Sequence, residues 1–330
     1  MIGRAQSAKL RRQVRIGKAV AFTLKLLVTG ACFWYLTRQI NLAQVARGGA
    51  AINVIWATFA VLAIMVQIPM VALRWEKIVD VLSNDSEQIP RQSILAISAI
   101  GIFFGQVSLY AAGDTVRAWM LAQLDRDWRL AVVSVLIDRA SGVAMLVAFS
   151  FVILLFPSAL TALGGHRDAA VEIFGALVVA IAFGLLSAPY LMPLLGRWRF
   201  SRWIGTLGFA AHKVLLRSKS GWLIVGLAAS IHLFTIVSIW CTGKSLALSF
   251  PILDAAVLFA LIQAVSLIPI SVGGWGVREV AVVALLSTHG LSAERALFFS
   301  MCFGLVLVIG SLPGAFAWAF YSPTQLTASG

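Results

Sequence analysis

Charge is what this chain has least of. Only 12% of its 330 residues are charged and 60% are hydrophobic, whereas a soluble globular domain carries roughly 25% charged and about 45 to 50% apolar residues. With a mean hydropathy of +0.93, that balance excludes a soluble fold. Acidic residues are scarcer still, and none precedes Glu76. Membrane enzymes that take a sugar from a lipid-phosphate donor commonly place acids in a first external loop, so their class is disfavoured. Cys32, Cys241 and Cys302 are odd in number, lie in apolar stretches and lack ligand spacing, so they read as small buried hydrophobes. His166, His212, His232 and His289 share no short spacing either, so no metal site, His-based catalytic site or cofactor is expected. Strand-like alternation is missing between turn signals, which leaves helices as the spanning element.

What is present is apolar length. Hydrophobic runs lie near 19–37, 53–73, 93–112, 131–156, 171–194, 222–242, 252–272 and 295–320, and a span needs roughly 20 apolar residues. The expected fold is all-α, one integral membrane domain over 1–330 with no room for a sizeable soluble unit. Arg4, Lys9, Arg11, Arg12, Arg15 and Lys18 precede the first run and mimic a signal peptide. Thr29 to Cys32 even resembles a weak lipobox, although an uncleaved first span is the better reading because further spans follow. The net charge of +13 is distributed in short loops, where it fits cytoplasmic retention and anionic phospholipid headgroups rather than nucleic acid.

Charge placement tests the count of eight. The segment 195–221 carries Arg197, Arg199, Arg202, Lys213, Arg217 and Lys219 without an acidic residue, as 1–18 does. The positive-inside rule wants both in the cytoplasm, but eight simple crossings would put them on opposite sides. One earlier run must therefore fail to cross. Run 93–112 is the candidate: it contains Gly101, Gly105, Gln106 and Ser108, breaks at 111–114 and resumes to about Leu124. A second such break lies at 269–276, after Gln263 and Ser266. Gly113, Val116 and Arg117 match Gly274, Val277 and Arg278 in spacing. The expected topology is six full spans plus two re-entrant hairpins, in inverted repeats 19–156 and 171–320, with both termini cytoplasmic. Paired interrupted segments of this kind point to a transport site near the midplane. Segment 195–221 alternates apolar and basic residues at near-helical spacing and is expected to lie on the cytoplasmic surface.

Charges that membrane helices cannot ignore, in or just after the apolar runs, are the site candidates, because an Arg or Asp at mid-bilayer costs about 2.5 to 3.5 kcal/mol on insertion scales. These are Asp114, Arg117, Asp138, Arg139, Arg278 and Glu279, with Ser271, Gly273, Gly274 and Gly276 as a glycine-rich break whose N–H groups suit a phosphate or carboxylate. Arg74, Gln106 and Gln263 are secondary candidates. Asp138 and Arg139 point about 100° apart on a helix and need not pair with each other. Asp138 could hold Arg117 or Arg278 while Arg139 faces a phosphate; the bland alternative is an inter-helix salt bridge. Lys25 reads as a snorkelling residue of the first span.

The stretches Gly101 to Arg117, Ser134 to Gly142 and Pro269 to Glu279 together resemble the flippase-like membrane domain of lysylphosphatidylglycerol synthases, which also occurs free-standing. The resemblance spans most of the chain and the last motif is the most specific. The first motif departs from the family pattern, with Gly105 in place of an Asn, no proline, and the single Gly113 before Asp114. The resemblance implies movement of an amphiphilic lipid, such as an aminoacyl-phospholipid or other envelope lipid, across the bacterial inner membrane. Without the aminoacyltransferase domain, aminoacylation is not expected. Competing readings are a lipid-linked-sugar glycosyltransferase and an accessory subunit of envelope biosynthesis; the expected partners are membrane lipids, with a second copy of the chain or an envelope-biosynthesis enzyme as protein partner.

Overall fold

The computed structural model describes residues 34, 52–83, 89–107, 110–124, 127–156, 167–195, 199–267, 275–288 and 290–320. The first apolar run lies outside these residues apart from Trp34, as do Lys25, Ser271, Gly273 and Gly274. The regular structure among them is helical: α1 Val54–Met65, α2 Gln67–Leu82, α3 Arg91–Val107, α4 Tyr110–Ala122, α5 Trp128–Leu154, α6 Arg167–Leu195, α7 Arg199–His212, α8 Gly221–Ser245, α9 Ile252–Leu267, α10 Val277–Thr288 and α11 Ala293–Ala319. A π-helical turn, Lys213–Arg217, extends α7.

Lengths sort these helices into two kinds. Five apolar rods are long enough to cross a membrane: Val54–Leu82, which is α1 and α2 joined through a turn at Val66, then α5, the Asp168–Leu191 part of α6, α8 and α11. Helices α3, α4, α9 and α10 run 17, 13, 16 and 12 residues, or about 18 to 26 Å at 1.5 Å per residue, short of a hydrocarbon core of about 30 Å. Three of the rods start at side-chain caps. Asn53 Oδ1 accepts from Ile55 N at 3.1 Å, Asp127 Oδ1 from Arg129 N at 3.1 Å and Ser292 Oγ from Arg295 N at 3.4 Å, satisfying N–H groups that a first helical turn leaves unpaired. Outward faces stay apolar. In the most apolar 18-residue window of the α6 span no residue is buried, as expected of a helix whose solvent is lipid.

The short helices are paired. A Cβ on Gly113 would overlap the Gly101 carbonyl, so α3 and α4 lie backbone to backbone, and residues 108–109 join them. The sequence places the break later, at 111–114. In the structure Gly113 and Asp114 are helical, because Gly113 serves close approach and not chain reversal. At the second pair, Gly276 at φ 87° occupies the left-handed region that a Cβ disfavours and starts α10.

The packing then repeats itself with the halves exchanged. α3 packs on α11 of the second half and α9 on α5 of the first; α4 packs on α5 and α10 on α11; α2 on α3 and α8 on α9; α1 on α11 and α8 on α5. The α1–α2 rod and α8 face each other and run antiparallel. Asn53 N donates to Ser245 O at 2.8 Å, Ser238 Oγ to Ala60 O at 2.9 Å and Thr235 Oγ1 to Gln67 Oε1 at 3.4 Å. Each short pair has its own apolar cluster. Trp75, Ile97, Ile100, Met120 and Leu121 enclose the first, and Phe259, Ile262, Val282, Phe299 and Phe303 the second.

The described part of segment 195–221 packs against the bundle. α7 folds back on α6, with His212 Nδ1 3.0 Å from Leu185 O, and buries Ala210 and Val214 with Ile78, Ile137 and Ile224. Trp203, Ile204 and Phe209 remain exposed.

Candidate functional site

Between α2, α3, α4, α5, α8 and α9 lies a cavity of about 170 Å³, room for about six waters at roughly 30 Å³ each. Its walls bring together Arg74, Arg117, Asp138, Arg139 and Gln263 of the sequence candidates, with Gln67, Gly101, His232 and Thr235. The helices place them by simple spacing. Gln67 and Arg74 are two turns apart on α2, and His232 and Thr235 share a face of α8.

Asp138 is the organising residue, with 1% of its side chain exposed. Its Oδ1 accepts from Arg74 Nε at 2.8 Å and its Oδ2 from Arg117 Nη1 at 2.8 Å, so one carboxylate anchors arginines from two helices. Burial of ions in this way is tolerable only with such pairing. Gly101 makes room for Arg117, whose side chain a Cβ there would strike. The Arg117 guanidinium carbon lies 4.3 Å from the centre of the Trp75 ring, a cation–π contact, and Trp75 Nε1 is tied to Ser134 Oγ at 3.2 Å. Arg117 Nε and Nη2 remain buried without a hydrogen-bond acceptor.

Arg139 does not pair with its neighbour Asp138. Its Nε donates to both oxygens of Asp114, at 2.8 and 2.7 Å, and 35% of its side chain is exposed. Three arginines (74, 117, 139) against two carboxylates (114, 138) leave the cluster one formal positive charge. His232 Nε2 lies 3.0 Å from Gly142 O. A carbonyl only accepts, so Nε2 carries a proton, and in the neutral ring Nδ1 is the acceptor.

Arg278 and Glu279 are not part of this cavity. They form a closed group at the start of α10. Glu279 Oε1 accepts from Arg278 Nε at 2.9 Å, from its Nη2 and from Ser300 Oγ at 3.2 Å, and Oε2 accepts from Gly276 N at 2.6 Å. The last bond is the reach-back half of a capping box. Arg278 stacks 4.6 Å from the Trp275 ring centre, in space left by Gly304. Asp138 thus holds Arg117 and Arg74, while Arg278 is held by its own neighbour. Gln106, on α3, is absent from the cavity walls.

Gln67, Trp75, His232 and Thr235 escape the sequence reading. The signal for Gln67 and His232 is a polar residue inside an apolar run; ligand spacing, the test applied to the histidines, does not detect it.

Among the described residues no group of His, Cys, Asp and Glu is arranged to hold a metal ion. No curated protein matches the chain. A model of the lysylphosphatidylglycerol synthase TM region matches residues 22–314, a stretch that contains every helix of the cavity, and the chain therefore belongs to that membrane family.

Proposed function

We propose that the protein is a lipid flippase or transporter of the bacterial cytoplasmic membrane, moving an amphiphilic, phosphate-bearing lipid between leaflets. One observation carries this reading: a polar cavity, walled by three arginines and a shared carboxylate, inside a bundle of apolar helices. Intramembrane charges are costly, and five in one cluster exceed what helix association requires. Arginine is suited to phosphate by its planar set of donors, and a phosphate oxygen is the type of acceptor that Arg117 Nε and Nη2 lack. The lipid headgroup would enter the cavity while its acyl chains stay in the bilayer. No covalent step is needed, and the protein is not read as an enzyme.

The topology proposed with it is six spans and two re-entrant hairpins, α3–α4 and α9–α10, in inverted halves with both termini cytoplasmic. The short helices, the antiparallel α1–α2 and α8, and the exchanged packing favour it, since inverted repeats with interrupted helices surround many transport sites.

Leaflet exchange of labelled phospholipids in proteoliposomes tests the function. The wild type is expected to accelerate exchange of an anionic lipid. Arg139→Gln, which removes a partly exposed charge from the cavity wall, is expected to slow it at least about tenfold, the equivalent of one charged hydrogen bond. Arg139→Lys should recover part of the rate. Absence of acceleration with every anionic and isoprenoid lipid tried overturns the reading and favours an accessory role.

A further inference from the structure

A second cavity lies on the other side of α5 and differs from the first in chemistry. It measures about 260 Å³ and is walled by Ala144 and Met145 of α5, Leu185 of α6, Leu215 of the π-helical turn, and Val225 and Ala228 of α8. The two hydroxyls that border it are already spent: Ser141 Oγ donates to Asp138 O at 2.8 Å and Ser218 Oγ to Val214 O at 2.6 Å. The interior is therefore mainly hydrocarbon, and neither hydroxyl has a free proton for a polar ligand. Its surroundings differ. Ser218 and Trp222 also line it, Trp222 is 87% exposed, and the exposed Arg217 and Lys219 flank Ser218 in sequence, with Lys213 on the same acid-free stretch. The helices around the mouth are apolar outward, with Phe183 and Leu223 exposed, so the neighbour of this face is lipid.

An apolar slot with exposed basic residues next to its wall in sequence, beside a Trp of the kind that sits at headgroup level, is complementary to one class of molecule. We infer that this cavity binds one acyl chain of an anionic phospholipid, whose phosphate is held by Arg217, Lys219 and Lys213. The site is distinct from the charged cavity, and occupancy here does not depend on whether lipid moves through that one. α5 and α8 are walls of both cavities, so a lipid seated here supports the two helices that carry Asp138 and His232.

Native mass spectrometry of the delipidated full chain, titrated with phosphatidylglycerol or phosphatidylcholine, tests the site. One phosphatidylglycerol per chain is expected to be retained in preference to phosphatidylcholine. Each exposed basic residue near a headgroup contributes roughly fivefold, so Arg217→Gln with Lys219→Gln is expected to lower the preference about 30-fold. Ala144→Leu, which fills the slot from its wall, should lose the retained lipid. Val225→Leu serves as the second slot-filling variant if the first elutes as aggregate. Equal retention of the two lipids by the wild type, unchanged preference in the double variant, or retention unaffected by filling the slot overturns the inference. Displacement of the lipid by inorganic phosphate at equal concentration overturns it also, since the basic residues would then be an anion site without an acyl chain.

Discussion

Asp138 answers to two arginines, and its loss is a different event from the loss of any one of them. Asp138→Asn leaves Arg74 without its carboxylate and Arg117 with only the longer contact to Asp114 at 3.9 Å, and removing one partner of a buried pair costs about 3 to 5 kcal/mol. Asp114→Asn weakens the tie to Arg139, a third of whose side chain is exposed, and a longer contact with Arg117 at 3.9 Å, and solvent screening at the exposed partner holds such a loss to about 1 kcal/mol or less. Thermal denaturation in detergent is expected to rank Asp138→Asn well below Asp114→Asn, with the latter near wild type. At this scale the sequence is informative about cost and uninformative about partners. Six charges in or just after apolar runs are visible by inspection, and four of them, 114, 117, 138 and 139, meet. The partner of Arg117 is not legible, because Asp138 and Asp114 are both within reach in sequence and only the packing of α4 on α5 decides. Arg74 looks like the end of a span that satisfies a charge rule; its burial beside Asp138 depends on contacts 64 residues away.

The two interrupted segments are the elements on which the fold turns. Their existence is readable from glycine and polar residues in runs otherwise rich in Leu, Ile and Phe. Their boundaries are less so, since a glycine needed for helix contact looks the same in sequence as one needed for a turn. Gly113 illustrates the difference and allows a test. Alanine is the better helix former by about 1 kcal/mol, so a Gly113→Ala change in a free helix would stabilise. Here the added Cβ meets the Gly101 carbonyl, and overpacking costs about 1 to 3 kcal/mol. The expected outcome is a net fall in melting temperature, and a rise would show that α3 and α4 do not touch at this point. Gly304→Ala in α11 is expected to destabilise for a parallel reason, by striking Arg278 and Trp275. A Gly304→Ala, Trp275→Ala double variant should recover part of the loss through the space that the indole vacates.

For the molecule as a whole, the antiparallel α1–α2 rod and α8 make the proposed topology measurable. Cysteines placed at Ser83, Ser218 and Ser249 in a chain lacking Cys32, Cys241 and Cys302 report three helix ends to an impermeant thiol reagent. Positions 83 and 218 are expected to react from the cytoplasmic side and 249 from the other. Reaction of all three from one side is incompatible with these rods crossing the membrane. The family and the helical class are legible in the sequence because lipid imposes them on every span. The exchanged packing is not, since it depends on surfaces that no local pattern describes.

That exchange also has a consequence in time. Gly314 of α11 fits against the Ala99 carbonyl of α3, a contact between residues 215 positions apart (314 less 99). At ribosomal rates of about 5 to 20 residues per second, α3 waits roughly 10 to 40 s for its partner to be made. Through that interval the first short pair has, among the described helices, α2 and α5 beside it, tied first by Arg91 to Glu76 at 3.2 Å and then by Arg117 to Asp138.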